Sequence, residues 1–98
     1  LRIILHAPTS IALERARNNA VNLQREAPDA EVCIIANARG VVAALDMAHE
    51  VADALTWVCP ITLDRTNREN RSPLRVLSGP AVLEIARMQQ SGWAYIRA

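Results

Sequence analysis

Cys59 is the residue of this 98-residue chain whose type and position most favour chemistry. It directly precedes Pro60, and proline suits the first position of a helix, so Cys59 falls at or beside the N-cap of that helix. The unsatisfied amides and the dipole of a helix N-terminus favour a thiolate over a thiol. A thiolate attacks sulfur electrophiles and can carry a persulfide. The position leaves two interpretations open, a reactive thiolate or a small, half-buried capping residue.

The second cysteine and the two histidines have weaker claims to a reactive role. Cys33 lies inside an apolar run, where a thiol is a small hydrophobe whose pKa is raised by burial. His6, at a predicted strand end, either holds a proton near the thiol or is packed and hydrogen-bonded there. His49 falls in a predicted helix and is expected on the surface. The cysteines and histidines lack the spacing of a metal site, so we predict no metal and no other cofactor.

The elements that must position these residues alternate between strand and helix. Strand-like apolar runs occur at residues 1–7, 32–36, 55–58, 74–77 and 93–96. Helical periodicity or helix-start signals lie between them, including a second helix predicted over 41–54 that could break near Asp46. The connections have the length of crossover units, and continuous apolar strands are typical of a parallel sheet covered on both faces. We therefore predict an α/β fold, a three-layer α/β/α domain with an open, mainly parallel sheet, in preference to an antiparallel α+β arrangement.

Polar side chains follow each predicted strand, at the edge where open parallel sheets bind ligands. His6 and Asn37 follow the first two strands, Thr62 lies just beyond the third, and Ser78 follows the fourth. Capping of a helix explains Ser78 equally well. The arginine-rich segment 64–75 is either a solvated loop or a flap that faces an anion or a partner near the thiol.

Composition narrows the class of protein further. Ninety-eight residues form one domain, and a net charge of +1 gives no electrostatic footprint for nucleic acid or an anionic membrane. All eleven basic residues are arginine, which excludes lysine Schiff-base chemistry. No apolar stretch approaches the roughly 20 residues of a membrane-spanning helix. We expect a single domain over 1–98 that is soluble and cytoplasmic and binds neither nucleic acid nor membrane.

Four segments resemble the DsrE/DsrF-like (YchN-like) family. The closing segment VLEIARMQQSGWAYI, residues 82–96, is similar to the family's C-terminal signature, and ILHAP at 4–8 resembles a strand ending in His-Gly-Pro. Residues 28–41 resemble the second strand and its asparagine loop. Residues 59–63, CPITL, match the Cys-x-Asn-Thr/Ser-Leu segment at cysteine, threonine and leucine. Ile61 stands where the family has asparagine, and this removes an amide that could hydrogen-bond the site.

The resemblance implies a five-stranded, mainly parallel sheet and assembly into trimers or hexamers. It implies sulfur transfer, with Cys59 carrying a persulfide that passes to or from a sulfur-relay protein. By position, His6, Asn37 and Thr62 would line the same pocket. A second hypothesis comes from another class, a non-catalytic module that binds a small ligand or builds an oligomer. Ile61 and the lack of a second reactive cysteine favour this alternative.

Overall fold

The computed structural model describes residues 1–98 and contains five strands, four α-helices and one 3₁₀ helix. The strands are β1 (Arg2–Ala7), β2 (Glu31–Ala36), β3 (Thr56–Val58), β4 (Arg75–Val76) and β5 (Ala94–Arg97). The α-helices are α1 (Ser10–Glu26), α2 (Arg39–Asp46), α3 (Pro60–Thr66) and α4 (Ala81–Gln90), and the 3₁₀ helix spans Ala52–Leu55.

The strands form one sheet in the order β4-β3-β2-β1-β5, and every neighbouring pair is parallel. The predicted α/β fold is therefore confirmed, with a sheet that is parallel throughout. The chain steps in one direction from β1 to β4, so right-handed crossovers place α1, α2 and α3 on one face. It then returns across the sheet to β5, which places α4 on the opposite face. The carboxyl ends of all five strands lie at one edge, where the candidate residues were expected.

The core lies at the two central strands. Ile4 and Leu5 of β1 and Ile34 and Ile35 of β2 are at most 1% exposed, because helices cover both faces of these strands. The buried stripe of α1 is mostly alanine, which allows that helix to lie close against the sheet. No helix of the structure has both the length and the apolar character needed to cross a bilayer.

Gly40 fixes the position of α2 against the carboxyl end of β1. A Cβ at this residue would stand 1.9 Å from the carbonyl oxygen of Ala7, so only glycine permits this approach. The preceding residue, Arg39, begins α2, and the loop before it carries Asn37. The close approach thus brings the Asn37 loop beside His6.

The predicted second helix over 41–54 is wrong in its extent, and the break falls at Asp46. The chain then forms the 3₁₀ helix, stabilised by Asp53 Oδ2, which accepts the His49 N–H at 3.0 Å. His49 Nδ1 in turn accepts the N–H of Ala52 at 2.9 Å. These side chains satisfy backbone donors locally and end the helical periodicity. His49 therefore lies in a connecting turn, half-buried, and not on an exposed helix face.

Candidate functional site

Cys59 is the N-cap of α3 and lies at the carboxyl end of β3, as predicted. Its N–H donates to the Ala36 carbonyl at 3.0 Å, and its own carbonyl accepts the Leu63 N–H at 3.2 Å. Pro60 occupies the first turn of the helix. The residue is 5% exposed, so its sulfur lies at the bottom of a surface depression. Backbone bonds on both sides of the residue hold the sulfur in a fixed place.

Hydrogen bonds to the sulfur lower the pKa of the Cys59 thiol. Burial acts in the opposite direction and favours the neutral thiol. The backbone N–H groups of Ala81, Thr62 and Ile61, together with the Thr62 hydroxyl, outweigh burial by stabilising the thiolate. Ala81 begins α4, whereas the other donors belong to α3. The first turns of α3 and α4 therefore both border the depression that contains Cys59.

Cys33, the other cysteine of the chain, has surroundings that shift its pKa in the opposite direction. It lies in β2 at 7% exposure, and burial raises its pKa to about 12, with a smaller contribution from the negative charge of Glu31. Neither cysteine forms a disulfide. The prediction that Cys33 is packed as a small hydrophobe inside a strand is confirmed by its burial.

The depression above Cys59 is small and shallow, with a volume of about 250 Å³. Asn37 and Thr62 line it together with Arg65, whose guanidinium is the one charged group among the lining residues. Val82 forms part of the rim and is 76% exposed. The site therefore combines one nucleophile, polar donors, one cation and an open apolar rim.

Thr62 connects Cys59 to the Asn37 loop. Its Oγ1 accepts the N–H of Ala38 at 3.2 Å, and its hydroxyl contributes to the lowered pKa of Cys59. Ala38 has φ 48° and ψ −135°, the geometry of the second residue in a type II′ turn, which favours glycine. The turn is closed by the Gly40 N–H, which donates to the Asn37 carbonyl at 2.9 Å.

His6 reaches the site through Asn37 and does not touch Cys59. Its Nε2 lies 2.9 Å from Asn37 Oδ1, and its Nδ1 lies 2.6 Å from the Tyr95 hydroxyl. An amide oxygen only accepts, so Nε2 carries a proton in this pair, and Nδ1 pairs with the Tyr95 hydroxyl. This arrangement fixes the amide plane of Asn37. The Asn37 amide nitrogen makes no hydrogen bond within the chain, and Asn37 is one of the residues that line the depression above Cys59.

Ser78 lies outside the Cys59 depression. It borders a larger cleft of about 520 Å³ on the α4 face of the sheet, and its hydroxyl donates to Glu84 at 3.3 Å. Trp57 and Trp93 line that cleft, as does Cys33. The structure therefore brings Cys59, Asn37 and Thr62 together, joins His6 to them indirectly and separates Ser78 from them.

The arginine-rich segment is neither a uniformly solvated loop nor a single flap. Arg65 borders the Cys59 depression, and Arg68 pairs with Asp46 at 2.6 Å on the surface. Arg71 reaches into the protein, pairs with Asp53 at 2.9 Å and donates to carbonyls at the end of α2. The segment thus fastens the loop after α3 to the body of the domain.

Two contributors to the site were not predicted from the sequence, Ala81 and Tyr95. Ala81 acts through its backbone N–H, so its side chain gives no signal. The start of α4 beside Cys59 could have been inferred, because β3 and β4 are parallel neighbours and the helices that follow them begin at the same edge. Tyr95 lies on β5 and reaches His6 only because β5 pairs with β1.

No protein-family model and no curated protein matches the chain. Its structure is similar to that of the protein of unknown function MTH1491 from Methanobacterium thermoautotrophicum, with a TM-score of 0.84 and 22% sequence identity. The match covers 99% of this chain and 98% of that chain. The two proteins therefore share the three-layer α/β/α fold over their whole length.

Proposed function

We propose that the protein is a sulfur carrier in which Cys59 accepts a sulfur atom as a persulfide and releases it to a thiol of a partner protein. The observation that supports this most strongly is the position of Cys59 as the N-cap of α3, in a depression that the first residues of α3 and α4 surround. The backbone N–H donors at these two helix starts lower the pKa of the thiol despite its burial. Cys33, buried in the same fold without them, has a raised pKa.

The proposed reaction consists of two thiol exchanges. The Cys59 thiolate attacks the outer sulfur of a donor hydropersulfide, the donor's S–S bond breaks, and the donor leaves as a thiolate. Cys59 then bears the outer sulfur. In the second exchange a partner thiolate attacks that outer sulfur, and Cys59 leaves as the thiolate. The same donors that stabilise the thiolate before the first exchange stabilise it as the leaving group in the second.

The surroundings of Cys59 suit such an exchange. Arg65 supplies a positive charge for the anionic persulfide, and the free amide nitrogen of Asn37 supplies a donor. Ile61 removes the side-chain amide of the family's asparagine, but the backbone N–H of Ile61 still contributes to the lowered pKa of Cys59. The departure from the family pattern is therefore compatible with the proposed chemistry.

We further propose that the carrier works as a homo-oligomer, a trimer or hexamer, and meets a sulfur-relay protein at this edge of the sheet. Val82 is 76% exposed and Ile61 is 42% exposed, and both lie at the rim of the Cys59 depression. Apolar side chains around an open nucleophile suit contact with a protein surface that presents a thiol. The shallow depression has no room to enclose a large donor.

Alkylation of Cys59 as a function of pH tests the proposal. Iodoacetamide should react with the folded protein in one fast phase, with a midpoint pH below that of a free cysteine peptide. The Cys59→Ala variant, which keeps Cys33, should lack this phase. A midpoint at or above that of the peptide would contradict the proposal.

The second candidate function, a small-ligand-binding module, is favoured by the cleft that contains Ser78. Its volume of about 520 Å³ lies in the range of small-molecule sites, and it is lined mainly by apolar groups with a few polar ones. Both tryptophans of the chain line it. Tryptophan emission should therefore respond to a small apolar compound that enters the cleft.

Fluorescence titration separates the two candidates. If binding is the function, a compound that shifts tryptophan emission should also raise the Tm, and Cys59→Ala should bind it with unchanged affinity. Leu77→Trp, which fills the cleft wall, should abolish binding. Failure of a broad panel of small apolar and aromatic compounds to shift the emission would exclude this candidate.

A further inference from the structure

The outer edge of β5 is open along its whole length. All four residues, Ala94 to Arg97, are exposed, although the strand pairs with β1 on its other side. The Ala98 N–H donates to the His6 carbonyl at 2.9 Å, so the backbone groups of Ile96 also face β1. Backbone direction alternates along a strand, and the N–H and C=O groups of Tyr95 and Arg97 consequently face outward. An edge of this kind is a template for a further strand.

We propose that β5 pairs antiparallel with β5 of a second copy of this chain, with Ile96 on the two-fold axis, and that the two sheets join into one ten-stranded sheet. This inference concerns assembly and stands independently of the persulfide chemistry. Because a trimer has no two-fold axis, the pairing selects the hexamer from the two proposed assemblies, with two-fold β5 pairs joining two trimers. A two-fold interface requires the same surface patch to be complementary to itself. The β5 edge meets that condition in its backbone and in its side chains.

The backbone selects the register. With Ile96 opposite Ile96, Tyr95 of each copy stands opposite Arg97 of the other. Both are residues whose N–H and C=O groups face outward, so each opposed pair exchanges two hydrogen bonds and the interface gains about four. Centring the pairing on Tyr95 would leave the outward groups of Arg97 opposite residue 93, beyond the end of β5.

The side chains agree with the same register. Residues directly opposite in an antiparallel pair point to the same face with Cβ atoms about 5 Å apart, so each Arg97 lies beside a Tyr95 ring. Arg97 forms no ion pair within the chain, and Tyr95 is 40% exposed. The two tryptophan rings already have an arginine stacked over them. The guanidinium carbon of Arg2 lies 5.3 Å from the ring centroid of Trp93, and that of Arg75 lies 5.3 Å from the ring centroid of Trp57.

Grooves on both faces of β5 leave room for the added strand. On the α1 face, Ile96 borders a groove of about 340 Å³ together with Leu5 and Leu23. On the α4 face, Tyr95 borders a groove of about 380 Å³ together with Ile85. Side chains of an added strand alternate between the two faces and would enter both grooves. Ile96, 45% exposed in the single chain, would become covered by its counterpart.

A charge-exchange experiment tests the pairing and its register together. Ile96→Lys and Ile96→Glu each place like charges opposite each other on the axis. Each variant alone should have half the molecular mass of the unmodified protein by light scattering. Mixed in equal amounts, the two variants should regain the full mass, because lysine then faces glutamate. Circular dichroism and Tm establish that each variant is folded.

Leu83→Glu provides the matched control, since Leu83 is 42% exposed and lies on α4. Because this variant keeps the β5 edge intact, it should retain the full mass of the unmodified protein. As a second measurement, Ile96→Cys should form an interchain disulfide under mild oxidation, because opposed residues of this kind have Cα atoms about 4.5 Å apart, within disulfide range. An unmodified protein that is monomeric at all concentrations, or an oligomer whose mass the Ile96 variants leave unchanged, would overturn the proposal.

Discussion

At the scale of single residues, the Thr62 side chain has two roles beside Cys59. Its hydroxyl group helps to lower the pKa of Cys59, and its oxygen accepts the Ala38 N–H. Hydrogen bonds to a charged group such as a thiolate are stronger than neutral ones. The lowered pKa of Cys59 therefore depends on its neighbours, and it should change when a neighbour changes.

Thr62→Val should slow the alkylation of Cys59 at neutral pH. The variant keeps the shape of the side chain but removes one donor to the thiolate, so the pKa of Cys59 should rise. We expect a rate about tenfold lower, which corresponds to about 1.4 kcal/mol. Thr62→Ser keeps the hydroxyl and should react nearly as fast as the unmodified protein. Equal rates for the valine and unmodified proteins would show that the hydroxyl has no role.

Cys33 makes stability depend on pH in the alkaline range. Its folded pKa is raised from 9.0 to about 12, so between these values the unfolded chain loses the thiol proton while the folded chain keeps it. The free energy of unfolding should therefore fall as the pH rises through this window. Cys33→Val should show a shallower fall in urea titrations at several pH values. Parallel curves for the two proteins would contradict the assignment.

At the scale of elements, the turn between β2 and α2 decides where Asn37 lies. It contains Ala38 at a positive φ and Gly40 packed against the carbonyl of Ala7. An ordinary side chain is sterically unfavourable at both residues. The turn persists because hydrogen bonds from Thr62 and from the turn itself hold it.

Ala38→Gly should stabilise the protein. Glycine adopts the observed φ of 48° without the steric cost that alanine bears there, and this gain exceeds the additional chain entropy of glycine. We expect a gain of about 1 kcal/mol in the free energy of unfolding from urea titration. A loss of stability would mean that the alanine conformation carries no strain.

Gly40→Ala should have the opposite effect. The new Cβ would meet the Ala7 oxygen at 1.9 Å, so α2 would have to move away from β1. We expect a loss of about 3 kcal/mol. Gly79→Ala is the matched control, because a Cβ there meets only the flexible end of Glu84 at 3.3 Å and φ is not positive. Similar losses for the two variants would refute the close approach.

Sequence periodicity predicted most elements and allowed a break near Asp46, but it extended the second helix beyond that residue. The apolar pattern continues at Val51 and Ala52, and a periodicity argument extends the helix through them. Asp53 ends that extension because it is buried between two arginines distant in sequence. Such a tertiary contact leaves no local signal.

At the scale of the whole molecule, Asp53 joins three separate parts of the chain. Arg17 of α1 pairs with it at 3.2 Å, and Arg71, from the loop after α3, pairs with it at 2.9 Å. Arg17 and Asp53 are 5% and 4% exposed. Burial lowers the pKa of Arg17, and the negative charge of Asp53 partly offsets that effect. The network holds the arginine-rich segment against the domain.

Asp53→Asn should destabilise the protein by about 3 to 5 kcal/mol, since it leaves two arginines without their counter-charge in a buried place. Asp46→Asn is the control. It breaks an ion pair with Arg68 whose side chains are 53% and 40% exposed, and it should cost at most about 1 kcal/mol. Urea unfolding of both variants measures the difference. Losses of similar size would show that the buried network adds no stability.

The sequence predicted where the candidate site lies in the fold, but it predicted only some of the residues that form the site. Cys59, Asn37 and Thr62 could be grouped because the carboxyl ends of parallel strands share an edge. Ser78 shares that edge but borders the cleft on the α4 face. The sequence does not indicate on which face such a residue lies. The backbone donor of Ala81 and the contact of His6 with Tyr95 depend on strand order, which no local pattern encodes.

The most direct test of the persulfide proposal is the intact mass of the protein after brief treatment with hydropolysulfide and removal of the excess. We predict a gain of one sulfur atom, located on Cys59 by peptide mapping, absent in Cys59→Ala and reversed by a small thiol. Cys33 should remain unmodified in the folded protein. No added sulfur on Cys59, or equal labelling of both cysteines, would contradict the proposal.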